Sequence, residues 1–225
     1  RLVLSDEELQ KRYGHLHYFK NGRFQPRKKA DYIPKEVTKP NKTCIECKSF
    51  GLKSPQGPKF PFRQIQLNKL SFQPIPDNFA IYWLGHSSTI IEINHYRLII
   101  DPVLDNASPV YFGVQRYTKR VIERDQLPDM DYIIITHNHY DHLERKTVIS
   151  FKRGHFIVPL GLGYTLENWR ISKNRITELG WGDHFSEEGI EIIGEEANHF
   201  SGRYLLDQNK TLFNFHQLWN LFQLK

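Results

Sequence analysis

Methionine is nearly missing from this sequence of 225 residues: there is one, Met130. The first residue is Arg1, so the natural start, with any targeting segment, is expected to lie upstream. No run of about eighteen apolar residues occurs, which excludes a membrane-spanning helix within these residues. A secretory leader pattern is absent as well; the compartment stays open, with a cytoplasmic or membrane-associated setting favoured. Cysteine is equally sparse. Cys44 and Cys47 form one CxxC. A structural zinc site would want a second pair, and a redox pair would want a thioredoxin-like strand ahead of it. The pair therefore reads as a surface coincidence or a disulfide. Nucleotide loops are missing too, since Gly161 and Gly163 are not completed by a GxGxxG or Walker pattern. A strong charge imbalance is also lacking. The formal net charge of +6 favours anionic partners such as phosphate esters or lipid head groups. It is too small and too spread to argue for nucleic acid, and no nucleic-acid partner is expected.

What is present is concentrated between Asp131 and His142, reading DYIIITHNHYDH. Ile133, Ile134 and Ile135 are consecutive β-branched residues, the pattern of a strand buried on both faces. Thr136 closes the run, and His137, His139, Asp141 and His142 follow at once. In an extended segment, residues two apart face the same side, so His137 and His139 can reach one ion. A turn must follow, which places Asp141 and His142 at a strand-to-helix corner. Imidazoles and a carboxylate suit zinc and similar divalent cations, and such an ion with an open position lowers the pKa of bound water to about 7. Solvated loop histidines would not arrive three together, with an aspartate, at the end of an apolar strand.

Elsewhere the pattern is of small elements. Residues 1–77 read as an irregular extension. Ser5 to Tyr13 is expected to be a short helix with Ser5 as N-cap and Glu8 three residues on. Beyond it, scattered prolines preclude long elements. Tyr18, Phe19, Phe24, Phe50, Phe60, Phe62 and Phe72 argue against a purely disordered tail and predict extended chain wrapped over a core. From Phe79, FAIYWL, STIIEI and RLIID read as consecutive antiparallel strands. His86, in the turn after the first, either approaches an active site or hydrogen-bonds in the turn; no ligand spacing ties it to the other histidines, which favours the turn. Residues 105–129 form a long connection with a short helix expected near 118–125. Helices are expected over 145–152 and 160–174, and strands over 155–159, 175–179 and 190–197. This alternation argues a layered α/β fold.

The His137-Asn138-His139-Tyr140-Asp141-His142 string resembles the His-x-His-x-Asp-His hallmark of the metallo-β-lactamase superfamily. WLGHSSTIIEI (residues 83–93), RLIIDPV (97–103) and NHFSGRYLLDQNKTL (198–212) resemble the branch of N-acylphosphatidylethanolamine phospholipase D and its bacterial relatives. The resemblance implies an αββα sandwich over residues 78–212, with the first sheet and its helices complete and the second largely missing. It implies a zinc-dependent phosphodiesterase acting on a phosphoester or phospholipid, with possible contact to a membrane surface. By that resemblance His137, His139 and His199 hold one ion, Asp141 and His142 serve a second, Asp141 also acts catalytically by orienting the attacking group, and Asp101 lies beneath the site and orients it.

The same resemblance calls for a bridging aspartate and a final histidine beyond His199. Asp207 stands too close to His199 for the first, and His216 lies in a string, NFHQLWNLFQLK, unlike the family. Residues 213–225 therefore read as an atypical tail. The expectations that follow are one ion bound, with two only in a full-length relative, self-association through an uncovered sheet face, and an amphipathic tail helix through Leu218, Trp219, Leu221, Phe222 and Leu224. A non-catalytic remnant binding one zinc or none is the alternative.

Overall fold

The computed structural model describes residues 5–20, 23–24, 63–72, 79–106, 116, 118–197 and 222–224. Its centre is a sheet of six strands: β3 (Ala80–Gly85), β4 (Ser88–Ile93), β5 (Tyr96–Ile100), β6 (Tyr132–Ile134), β7 (His155–Pro159) and β8 (Ile176–Leu179), in that spatial order. The β1 (Phe19–Lys20) and β2 (Arg23–Phe24) pair precedes it. The first three strands of the large sheet are antiparallel, as the alternating runs predict. The β4–β5 turn has Asn94 at φ 49° and His95 at φ 67°, the left-handed pair that matches the twist of a tight hairpin.

After β5 the chain changes mode. β6, β7 and β8 each pair in parallel with the strand before, so each needs a crossover. Two of these contain helices, α2 (Arg145–Val148) and α3 (Leu162–Asn168). Both are shorter than their sequence patterns suggest. Beyond α3, Arg170 takes a left-handed φ of 68°, which a helix cannot continue through. The element expected near 118–125 is only a 3₁₀ turn at Arg124–Gln126.

The period of two sorts the strand residues onto two faces. Leu84, Ile90, Ile99, Ile133, Phe156 and Val158 meet Val148, Leu162 and Leu166 from the helices. Leu98, Tyr132, Ile134, Ile157 and Leu179 meet Ile190 and Ile192 of a second sheet. The three isoleucines of 133–135 are all 0% exposed, so the run is buried on both faces as expected. Each such side chain contributes about 1.5–3 kcal/mol on burial.

The second sheet runs β9 (His184–Glu187), β10 (Ile190–Gly194) and β11 (Phe222–Leu224), in the order β11-β10-β9. β11 pairs antiparallel with β10, Ile192 opposite Leu224. Phe222 and Leu224 thus belong to a strand, not to the amphipathic helix expected for the tail, because the edge of β10 offers a backbone ladder. Leu218, Trp219 and Leu221 lie outside the described residues, as do both cysteines. On β3 and the residue before it the intersheet face is open: Phe79, Ile81 and Trp83 are 67%, 59% and 55% exposed.

The N-terminal helix α1 (Asp6–Tyr13) starts at the expected capping box, with Ser5 and Glu8 bonding reciprocally. Leu9, Tyr13, Tyr18, Phe19 and Phe24 cluster on Trp181, just past β8. Tyr13 Oη donates to Glu178 at 3.1 Å.

Candidate metal centre

The histidine string begins where β6 ends, beside the carboxyl end of its parallel neighbour β5. The two strands are parallel neighbours, so the segments that leave their carboxyl ends emerge side by side. Asp101 follows β5 directly. It is 2% exposed and has a left-handed φ of 44°, a conformation that aspartate and asparagine tolerate better than most residues. Ser88 fixes this bend: its hydroxyl lies 2.7 Å from the Asp101 carbonyl and 3.1 Å from that of Val103, and it accepts from the Val103 N–H at 2.9 Å.

The Asp101 carboxylate is surrounded by donors. Thr136 gives its backbone N–H to Oδ1 and its hydroxyl to Oδ2, both at 2.7 Å, and His142 Nδ1 lies 2.7 Å from Oδ2. These bonds fix proton positions. The Thr136 hydroxyl has one hydrogen, committed to Asp101, so the contact of 2.8 Å between Thr136 Oγ1 and His137 Nδ1 requires the ring to donate. The His137 lone pair is then on Nε2. Likewise His142 donates through Nδ1, which puts its lone pair on Nε2. A carboxylate or hydroxyl behind each imidazole, fixing its tautomer and turning the other nitrogen outward, is the usual support of a metal-binding histidine.

The outward atoms gather. His137 Nε2 stands 3.1 Å from His139 Nδ1. Two nitrogens on one tetrahedral zinc, each about 2.0–2.1 Å from it, lie about 3.3 Å apart, so this pair is already at ligand separation. The His137 and His142 ring centroids are 3.9 Å apart. His142 Nε2 lies 3.7 Å from Asp141 Oδ2. Asp101, His137 and His142 form one group whose ligand-type atoms fall within 4.8 Å of one another, and His86, Asp141 and His142 form another. The donor set, nitrogen-rich with one carboxylate, fits a zinc-like divalent ion better than calcium or magnesium, which take oxygen ligands. Asp101 spends both oxygens on Thr136 and His142, which suits it to hold ligands in place.

Asp141 is partly accessible, its side chain 32% exposed. Burial works against its ionisation, but the hydrogen bond with His86 and the favourable electrostatic influence of the adjacent His142 outweigh it and bring the carboxyl down to about 2. His86, favoured as a turn residue by its sequence context, reaches across from the β3–β4 connection to place Nε2 2.9 Å from Asp141 Oδ2. No local signal shows this, since the two residues are 55 positions apart. The roles of Thr136 and Ser88 are equally invisible to pattern reading. His199 lies outside the described residues.

Ion pairs brace the segments that flank the site. Glu144 accepts from the backbone N–H of Leu104 at 2.7 Å and pairs with Arg124 at 2.8 Å, while Arg120 pairs with Asp105 at 2.5 Å. The Glu144 contacts tie the connection between β5 and β6 to the segment that follows the histidines, while the Arg120–Asp105 pair braces the connection itself.

A family model described as the β-lactamase superfamily domain matches residues 96–215. An uncharacterized protein of Mycobacterium tuberculosis is 39% identical over 139 residues, covering 60% of this chain and 37% of that protein. An N-acyl-phosphatidylethanolamine-hydrolyzing phospholipase D of Caenorhabditis elegans is 34% identical over 151 residues, covering 61% of this chain and 41% of that one. A metal-dependent hydrolase of Saccharolobus solfataricus is 32% identical over 126 residues, 53% of this chain and 50% of its own. The chain thus spans half or less of the length of each of these relatives.

Proposed function

The chain belongs to the β-lactamase superfamily domain family, and on that premise we propose that it is a zinc-dependent phosphodiesterase acting on phospholipids of the N-acyl phosphatidylethanolamine type. One observation carries the reading: His137 Nε2 and His139 Nδ1 stand 3.1 Å apart at the end of a buried strand, with Asp141 and an anchored His142 beside them. In this reading His137, His139 and His199 hold one ion, and Asp141 and His142 hold a second. Bound there, zinc would polarise a phosphoryl oxygen and offset charge building on the phosphate. Asp101 keeps the His142 ring oriented, and Thr136 does the same for His137. Asp141, ionised at neutral pH, acts as an acceptor that orients the attacking water. Residues 78–212 are the hydrolase domain on this account, with residues 1–77 an extension to it.

The lipid class is supported by the name of the nematode relative and agrees with a chain of net charge +6, which favours an anionic surface. The test is hydrolysis of N-acyl phosphatidylethanolamine in vesicles by the full, zinc-loaded chain. Phosphatidate should be released, and His139→Ala should abolish its release. A wild-type chain without turnover, or turnover that survives in His139→Ala, would reject the reading.

A further inference from the structure

We propose that His86 is itself a cation ligand, and that His86, Asp141 and His142 form a three-residue site for a zinc-like divalent ion, supplied in part by the β3–β4 turn. The inference rests on the reading of residues 137–142 as metal-binding, and extends it to a residue outside that segment.

Three observations converge. The first is proximity: ligand-type atoms of the three residues all fall within 4.8 Å of one another, with His86 Nε2 at 2.9 Å and His142 Nε2 at 3.7 Å from Asp141 Oδ2. Two imidazoles and a carboxylate make a set that selects borderline divalent cations over calcium or magnesium. The second is preparation. Asp101 engages His142 through Nδ1, which turns Nε2 toward Asp141. His86 is held too: Trp83 Nε1 donates to its carbonyl at 2.7 Å, and the two histidine rings meet edge to face at 5.5 Å.

The third is the backbone. His86 has φ 52° and follows Gly85 at φ 100°. Histidine is among the residues that accept this conformation, and the turn directs its side chain so that Nε2 lies 2.9 Å from Asp141 Oδ2. The side chains of His86 and Asp141 are 46% and 32% exposed, so an ion can enter from solvent and a coordination position can face substrate. An ordinary surface ion pair would account for the 2.9 Å contact, but not for the prepared nitrogen of His142 behind it.

The experiment measures cation binding, not turnover. The full chain, stripped of metal, is titrated with zinc by calorimetry, with metal content after dialysis as a check. His86→Asn is the variant, because asparagine accepts the left-handed turn, and His137→Ala is run in parallel. His86→Asn should weaken one binding event by at least about tenfold, the lower end of what losing even an outer partner costs, while the event lost in His137→Ala remains. Nitrogen-15 spectra of the wild-type histidine rings provide a second measurement that needs no variant: His86 Nε2 should shift on zinc addition. Unchanged affinities in His86→Asn, or an unmoved His86 Nε2, would overturn the proposal while leaving the 137–142 site standing. A wild-type chain that binds no zinc would overturn both, so the two failures are distinguishable.

Discussion

The site has two halves built in opposite ways. The inner half, Asp101, Thr136, His137 and the back of His142, is buried or partly buried, and its hydrogen bonds fix where the protons sit. The outer half, His86 and Asp141, is in contact with water, and its two side chains are joined by a hydrogen bond between residues 55 positions apart. Buried polar groups are costly unless each is satisfied, so the inner half is bound tightly to the stability of the fold. Exposed pairs contribute little to stability, about 0–1 kcal/mol, so the outer half can serve chemistry without being structural. The difference suggests that ligand positioning and ligand accessibility have been divided between separate segments.

The strongest way to break this contrast is at Asp101. Asp101→Ala leaves the Thr136 N–H, the Thr136 hydroxyl and the His142 N–H without their acceptor, in a partly buried place. Each unsatisfied donor costs about 1–3 kcal/mol, so a loss of about 3 kcal/mol or more is expected in denaturant unfolding. Zinc affinity should fall with it.

A second test compares this carboxyl with another enclosed one. Burial raises the Glu178 carboxyl above its ordinary value of 4.5, against the opposing hydrogen bonds from the Gly163 N–H and Tyr13. A carboxyl raised in the fold binds its proton more tightly folded than unfolded, so its contribution is favourable below 4.5 and is lost as pH rises through the raised folded value. Glu178→Gln should remove that loss. The melting temperatures of variant and wild type should move apart in favour of the variant as pH rises from about 4.5; a constant difference would count against the raised carboxyl.

Thr136→Val sharpens the contrast further. The shape is kept and the hydroxyl between Asp101 and His137 is lost, so about 1 kcal/mol of stability should go, with a larger proportional loss in zinc binding because the His137 tautomer is no longer fixed. At the small end, His86→Asn should change metal-free stability by less than about 0.5 kcal/mol. A loss as large as that at Asp101 would mean that the outer half is structural after all.

The sequence exposed the inner half in part. Three β-branched residues followed by histidines two positions apart can be read directly, because strand periodicity and ligand spacing are both local. The hairpin at Asn94 and His95 was legible for the same reason. Thr136 and Ser88 were not, since a hydroxyl that bridges other groups has no signature of its own. His86 was read toward a turn role because its partner is supplied by the fold. Helix lengths were overread at residues 145–152 and 160–174, where the periodicity continues past turns that tertiary contacts impose. Phe222 to Leu224 alternate well enough for a strand, but the tail's amphipathic spacing suggested a helix, and the free edge of β10 decided the matter.

The bend at Asp101 also has a consequence for how the protein can vary. Position 101 asks for a left-handed backbone, which glycine, asparagine and aspartate accept most readily, and for a carboxylate, which glutamate could also supply. Only aspartate meets both demands with the reach required. In a saturation library this codon should therefore be among the least tolerant in the gene, and the asparagine clone should separate shape from charge: folded, and unable to retain zinc.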